Sequence, residues 1–279
     1  FTALNCLTCI GLCLLLGYAG QISMGHSAFV AIGAYASALL TTKLGWNPWA
    51  AMGAGVAVSV VVAVIVGLPT LKLKGHYLAM GTLGFGSIVH VVLVAAVDIT
   101  GGPSGVSGIP RLGFFGFELD TDTRFFYFSW FLVLLGLYLA VNLIHSRVGR
   151  GLQAIHGSED AASSLGVNIT VDKIKIFVLS AVFASVSGSL YSHYVLYIDP
   201  GPFDVMHSVL LITMVAVGDD GTVVACWRLG HELLRARGAD VVLDSAAPFR
   251  DAVRAVDDPA LLRQDIEESF VELLELGGG

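Results

Sequence analysis

Four histidines, His26, His90, His193 and His207, are scattered among the apolar segments of this chain. None has a paired carboxylate or a nucleophilic serine motif beside it, so the residues offer no catalytic centre and no enzyme is expected. A lone imidazole in an apolar helix, such as His90, serves either as a proton relay or as a neutral packed group. Cys6, Cys9 and Cys13 recur at helical spacing within one apolar run, and Cys226 is remote from them. Burial in lipid stabilises a thiolate little, which argues for packing and against a metal or redox site. No metal and no cofactor is expected.

Two polar stretches stand apart from the apolar background. The first is Gly17-Tyr18-Ala19-Gly20-Gln21-Ile22-Ser23-Met24-Gly25-His26. In lipid, free backbone groups are tolerated only where protein or a water-lined cavity satisfies them, so this stretch is either a surface loop or an entrance to a pathway. The second runs from Arg147 to Lys175. Within it Ser158 can cap a helix, Glu159 and Asp160 put negative charge on its first turn, and Gly166 supplies a left-handed stop. The spacing predicts a helix of about two turns, roughly 10 Å long. So short a helix must be held by the flanking spans and by another protein.

The elements that carry these stretches are apolar. The chain is 55% hydrophobic and 13% charged, against roughly 25% charged in soluble domains, and its mean hydropathy is +0.78. Windows of about 20 residues without Asp, Glu, Lys or Arg are long enough to cross a hydrocarbon core as helices. Spans are expected at residues 3–16, 27–42, 49–71, 78–97, 125–144 and 176–198, with a further apolar segment beginning at 206–217. The fold class is all-α, a polytopic transmembrane helical bundle in contact with membrane lipid. Gly33 and Ser37, four apart, predict close helix contact, as does the stripe of Ala181, Ser185 and Ser189 beside Ala184 and Gly188. Trp46 and Trp49 are placed as interfacial anchors, and Pro69 as a kink or stop. The Gly- and Pro-rich 98–124 segment reads as the longest loop of the membrane block. Lys72, Lys74, Arg147, Arg150, Lys173 and Lys175 fall on one side if the spans alternate. The acidic 98–124 loop and 199–205 turn fall on the other. The positive-inside rule then makes the central polar stretch cytoplasmic and the Gly-Pro loop external.

Residues 1–218 hold nine basic and nine acidic side chains, and 219–279 hold six and thirteen, so the formal charge of -7 lies in the tail. That balance gives no reason to expect a nucleic-acid partner.

Four stretches of this sequence resemble the permease subunits of bacterial branched-chain amino acid ABC transporters, of the LivM-like kind. They are Gly17 to His26, Leu73-Lys74-Gly75-His76-Tyr77-Leu78-Ala79-Met80 running to Gly86, the Thr100 to Pro110 loop, and Arg147 to Lys175, spread along a resemblance that covers about 3–218. Importer permeases show Glu-Ala-Ala, three residues, Gly, nine residues and Ile. Here the run is Asp160-Ala161-Ala162, then Ser163-Ser164-Leu165, Gly166, nine residues and Ile176. Asp replaces Glu, which keeps the charge, and the Leu and Pro that usually follow are not reproduced.

The resemblance implies the ABC importer permease fold and places the coupling helix, which enters a groove on the cytoplasmic ATPase, at Arg150, Glu159, Asp160, Ala161, Ala162 and Gly166. It implies a translocation path with Gln21, Ser23, His26 and Thr82 as candidate polar side chains. The implied partners are a second homologous permease subunit, two cytoplasmic ABC ATPase subunits and an external or periplasmic substrate-binding protein, in the bacterial inner membrane. ATP would be hydrolysed on those separate subunits, since no phosphate-binding lysine motif occurs here. Relatives that carry urea, short amides or polar amino acids are the alternative to leucine, isoleucine and valine.

The chain starts at Phe1 inside an apolar segment, and an N-terminally incomplete permease domain is expected over 1–218. At Asp219-Asp220-Gly221 the sequence turns soluble in character where the family pattern calls for more spans. Residues 219–279 read as a polar, acidic tail, helical or disordered, from a shifted frame or a truncation. A genuine partner-binding module is the other reading, and with it a non-transport membrane protein that binds through its acidic tail.

Overall fold

A computed structural model of the chain describes residues 1–70, 76–114, 117–118 and 122–217. Lys72, Lys74 and the expected tail 219–279 lie outside the described residues. The chain divides into two compact units, Phe1–Ile212 and Thr213–Gly279, and the helical bundle with its polar site belongs to the first.

Helix α1 (Thr2–Cys13) runs into a π-helical segment, Leu14–Tyr18, and the chain breaks before α2 (His26–Leu44). Then come α3 (Pro48–Thr70), α4 (His76–Ala95), the single turn α5 (Val97–Thr100) and strands β1 (Val106–Ser107), β2 (Gly113–Phe114) and β3 (Phe117–Glu118). They are followed by α6 (Asp122–His145), α7 (Arg147–Gly157), α8 (Glu159–Ser164), α9 (Ile169–Val195), β4 (Tyr197–Ile198) and α10 (Val205–Val217). Four of these helices, spanning His26–Leu44, Pro48–Thr70, Tyr77–Ala95 and Asp122–His145, are long and apolar enough to cross a membrane. Thr2–Tyr18 is apolar but shorter. Cys6 and Cys9 are buried thiols on α1.

Helix α9 is the axis of the bundle, packed by α1, α2 and α3. Its contact with α2 is a backbone contact made possible by small residues. A Cβ on Gly188 would overlap the Val30 carbonyl, and one on Gly33 would overlap the Ser185 backbone. Ser189 Oγ donates to the Gly33 carbonyl at 3.0 Å, and Ser187 Oγ to the Leu4 carbonyl at 2.8 Å. Enclosure explains why α9, with buried Ser180, Ser185, Ser187, Ser189 and Ser192, lacks the lipid-like composition of the other long helices: its neighbours are helices. Helix α3 packs by the same logic, burying Ala51, Gly55, Ser59, Ala63 and Gly67 at every fourth position and turning Val58, Val61, Ile65 and Leu68 outward. Helix α6 buries Phe125, Ser129 and Val133 and exposes Phe126, Tyr127 and Phe131. Apolar side chains on both faces are what a helix shared between protein and lipid requires.

The two ends of the bundle are distinct. At one, β1 pairs antiparallel with β4, Phe1 packs on Tyr191 and Tyr194, and Phe125 stacks on Tyr194 at 4.3 Å. Side-chain donors there fasten the Gly-Pro loop by its carbonyls: Lys43 to Asp98 and Ile99, Trp49 to Gly113, Tyr197 to Ser104 and His193 to Pro110. Since a carbonyl only accepts, Nδ1 of His193 carries a proton, and Nε2 of the neutral ring accepts from Ser37 Oγ at 2.8 Å. At the other end stand α7 and α8, the latter just before the start of α9. The 27 residues of α9 separate the ends by roughly 40 Å, so the Ser158–Gly166 knob and the Gly-Pro loop lie at opposite ends, as expected.

Three expectations are corrected. The sixth span is displaced from 176–198, because Asn168 Oδ1 accepts the Val171 N–H at 3.3 Å and starts α9 at Ile169. The helix stops at Val195, with Leu196 left-handed (φ 62) and Tyr197–Ile198 in β4. The central polar stretch is two helices and the first turns of α9, not one short helix in a loop. The 98–124 segment holds α5, a 3₁₀ turn at Gly102–Ser104 and paired strands.

Replacing Gly188 by Ala should destabilise the bundle by about 3 kcal/mol, the upper end for an overpacked core. Thermal unfolding in detergent reads this, with Gly53→Ala, where nothing lies within 4 Å, as a control that leaves the midpoint unchanged or raised.

Candidate translocation and coupling site

The π-helical end of α1 turns back on itself before α2 begins. Gly20 adopts φ +62, which a side chain would strain, and the N–H groups of Gly20 and Gln21 return to the carbonyls of Leu16 and Leu15, both at 3.1 Å. Beyond them, helices distant in sequence satisfy the backbone. The Met24 N–H donates to Thr82 Oγ1 on α4 at 2.9 Å. His26, at the start of α2, bonds through Nδ1 to Ser23 Oγ at 3.1 Å and through Nε2 to Ser180 Oγ on α9 at 2.5 Å. Ser208 Oγ on α10 accepts the Ser27 N–H at 3.1 Å and donates to Ser27 Oγ at 2.6 Å, so a side chain from α10 caps α2. Gly25 lies against the Thr82 carbonyl, where a Cβ would overlap it. Phe29, one turn into α2, packs on Phe85 and Phe177 and closes the apolar side.

Gln21, Ser23, His26 and Thr82 are all buried, which overturns the surface-loop alternative for this stretch. Direct hydrogen bonds join Ser23 to His26 and bring Thr82 onto Met24. Gln21 lies in the same break, and neither its Nε2 nor its Oε1 has a hydrogen-bond partner. Ser180 sits eleven residues into α9, so the His26–Ser180 contact is roughly 16 Å from that helix's start.

The opposite face of the break is α7. Ser146 caps this helix, Oγ accepting the Gly149 N–H at 3.4 Å, and its Leu152 and Ile155 are buried. His156, near its end, lies against Gly20: a Cβ on Gly20 would be 3.0 Å from the His156 ring. Helix α8 follows Ser158 directly. The Ala162 N–H bonds to the Ser158 carbonyl at 3.0 Å, and Gly166, at φ +81, ends the turn as expected. Arg150 is exposed, with Nη1 donating to the His145 carbonyl at 3.0 Å at the end of α6. Ala162 is buried within the chain, so its small size serves internal packing and not approach by an outside protein. The side chains of Glu159, Asp160 and Ala161 lie outside the described residues. Leu165 projects from the knob with 80% of its surface exposed.

Sequence reasoning missed α7, Leu165, Ser180 and Ser208. Leu152 and Ile155 behind Ser146 carried a helical signal. Ser180 heads the stripe that continues as Ala184 and Gly188, four residues apart.

The family profile described as "Branched-chain amino acid transport system / permease component" matches residues 1–226, past the change of character at Asp219. The chain belongs to this family. Its relatives include the "High-affinity branched-chain amino acid transport system permease protein LivM" of Salmonella typhimurium, 33% identical over 236 residues, covering 76% of this chain and 56% of the relative. The protein of the same name from Escherichia coli is 32% identical over the same shares. A "Probable branched-chain amino acid transport permease protein LivM" from Methanocaldococcus jannaschii is 25% identical over 61% of this chain and 51% of its own length. The chain thus spans about half the length of the curated relatives it matches. No solved structure matches it. The relatives are named for transport, not catalysis.

Replacing His26 by Ala in the permease removes the partner of Ser180 and Ser23 and leaves buried hydroxyls unsatisfied, at a cost of about 1–3 kcal/mol. His26→Gln retains one bond and should recover part of it. Thermal unfolding of the purified protein orders the three forms as wild type, Gln, Ala.

Proposed function

We propose that this chain is a pathway-forming subunit of an ATP-driven importer for leucine, isoleucine or valine. The observation that carries this is the family match over residues 1–226, and the break between Tyr18 and His26 supports it structurally. Irregular backbone inside an apolar bundle is characteristic of transporter solute sites, where side chains and unwound backbone face the cargo. In this reading Gln21, Ser23, His26 and Thr82 contribute to the path. The chain works with a second homologous permease, two ABC ATPase subunits and an external substrate-binding protein, in the bacterial inner membrane. The subunit itself performs no catalysis.

The knob built from α8 is the coupling element, with the α7–α8 end in the cytoplasm. Arg147, Arg150, Lys173 and Lys175 at that end agree with the positive-inside rule. Ala162 packs the knob from within, the exposed Arg150 ties α7 to the end of α6 beside it, Glu159, Asp160 and Ala161 occupy its first turn, Gly166 ends it, and Leu165 offers an apolar contact to an ATPase groove. Alternating access then arises from closure of one face against the other, driven through this end.

Uptake of radiolabelled leucine, isoleucine and valine by the assembled transporter in proteoliposomes tests the reading. ATP-dependent uptake of these solutes supports it. Uptake of urea or short amides alone, or no uptake, overturns it.

Leu165→Asp should weaken ATPase association at least tenfold, the scale of an anchor residue, with membrane insertion intact. Gly166→Val places a β-branched residue at φ +81, and ATP hydrolysis should lose its dependence on the loaded binding protein. Co-purification of the ATPase and stimulated hydrolysis measure the two effects.

A further inference from the structure

Around the break, Ser23, His26, Ser27, Thr82, Ser180 and Ser208 all take part in hydrogen bonds. Gln21 does not: its carboxamide is 3% exposed, and both Nε2 and Oε1 are unpartnered. Burying an amide with neither its donor nor its acceptor satisfied opposes folding, and an apolar side chain of similar volume would avoid that cost. At 3% exposure Gln21 has no face left for a docking protein. A small molecule that enters the bundle is the kind of partner its donor and acceptor fit.

The chemistry of that partner follows from what surrounds the amide. Residues 1–42, 76–97 and 176–198 contain no Asp, Glu, Lys or Arg, and the charged residues of α9, Asp172, Lys173 and Lys175, all precede Ser180, its contact with the break. A carboxamide is the neutral side chain that offers two N–H donors and a carbonyl acceptor on one planar group. It can therefore meet both poles of a zwitterion, whereas an ionised side chain attracts one pole and repels the other.

We propose that Gln21 is the specificity-determining contact for the α-amino acid head group, its Nε2 donating to the carboxylate and its Oε1 accepting from the ammonium as the solute passes the break. The inference rests on the transport reading and deepens it. The aliphatic part of the solute meets the apolar side formed by Phe29 and its aromatic neighbours. Gln21 takes no part in the hydrogen bonds that fasten the break to α4, α9 and α10, so its removal spares the fold while impairing passage.

The experiment uses the assembled transporter in liposomes, with leucine as solute and the variants Gln21→Leu, Gln21→Met and Gln21→Glu. Leucine uptake should fall about tenfold in the Leu and Met variants, the scale of one hydrogen bond lost to the moving solute. Their thermal midpoint should stay level or rise, since the unpartnered buried amide is removed. Gln21→Glu should fall further, because its carboxylate repels that of the solute. Wild-type uptake in any of the three overturns the assignment, as does a loss of uptake that tracks a lowered midpoint in both apolar variants. If wild type itself takes up no amino acid, the transport reading has failed and the inference falls with it, a result distinct from a functional wild type with indifferent variants.

Discussion

Backbone polar groups inside an apolar bundle must find partners within the protein, and the interrupted helix between Tyr18 and His26 is where this chain meets that constraint most severely. A continuous helix would have satisfied them locally. The break instead takes backbone partners from α4 and α10, through Thr82 and Ser208, and is tied to α9 by the bond between the His26 ring and Ser180. Elements far apart in the chain are thereby tied to one short segment. Buried polar networks of this kind, once satisfied, specify a single arrangement of the helices around them.

The tie is effective because the central helix pair is stiff. At Gly33 and Gly188 the backbones of α2 and α9 touch without intervening side chains, leaving no slack for rotamer changes to absorb a displacement. Helix α9 also begins beside the α7–α8 knob and ends beside β4, which is paired to the Gly-Pro loop through β1. One rod of roughly 40 Å therefore connects the two faces of the bundle. Its buried serines bond to the carbonyls of Leu4 and Gly33 on neighbouring helices and let it serve as the core of the bundle.

Much of this was legible in the sequence where the signal was local. The long apolar runs at 49–71 and 125–144 became α3 and α6, the small-residue stripe at 181, 185 and 189 became the α2–α9 contact, and Gly166 took the left-handed turn its neighbours required. Polar residues in the Gly17–His26 stretch drew attention because they interrupt an apolar pattern. What stayed hidden was non-local. Nothing in the order of residues says that Ser208 caps a helix starting near residue 26, or that His156 would come against Gly20. The boundary of α9 was misplaced because charge at Asp172, Lys173 and Lys175 reads as loop, whereas the Asn168 cap allows a helix to begin before it enters apolar surroundings.

The interfaces of the break differ in kind, and the difference decides which can part. Between α2 and α9 the contact is backbone on backbone, so separation would open a void along several turns. Toward α10 the ties are two hydrogen bonds between Ser27 and Ser208, each worth about 1 kcal/mol net, whereas toward α4 the Met24–Thr82 bond is joined by a close approach of Gly25 to the Thr82 carbonyl. Helix α7 adjoins the break at Gly20 and reaches the base of α9 where Gly151 faces Asp172, a Cβ there lying 3.3 Å from the carboxylate. The α2–α9 pair and α4 are thus joined to the break by close backbone approach as well as by hydrogen bonds, and α10 by hydroxyl bonds between side chain and helix start.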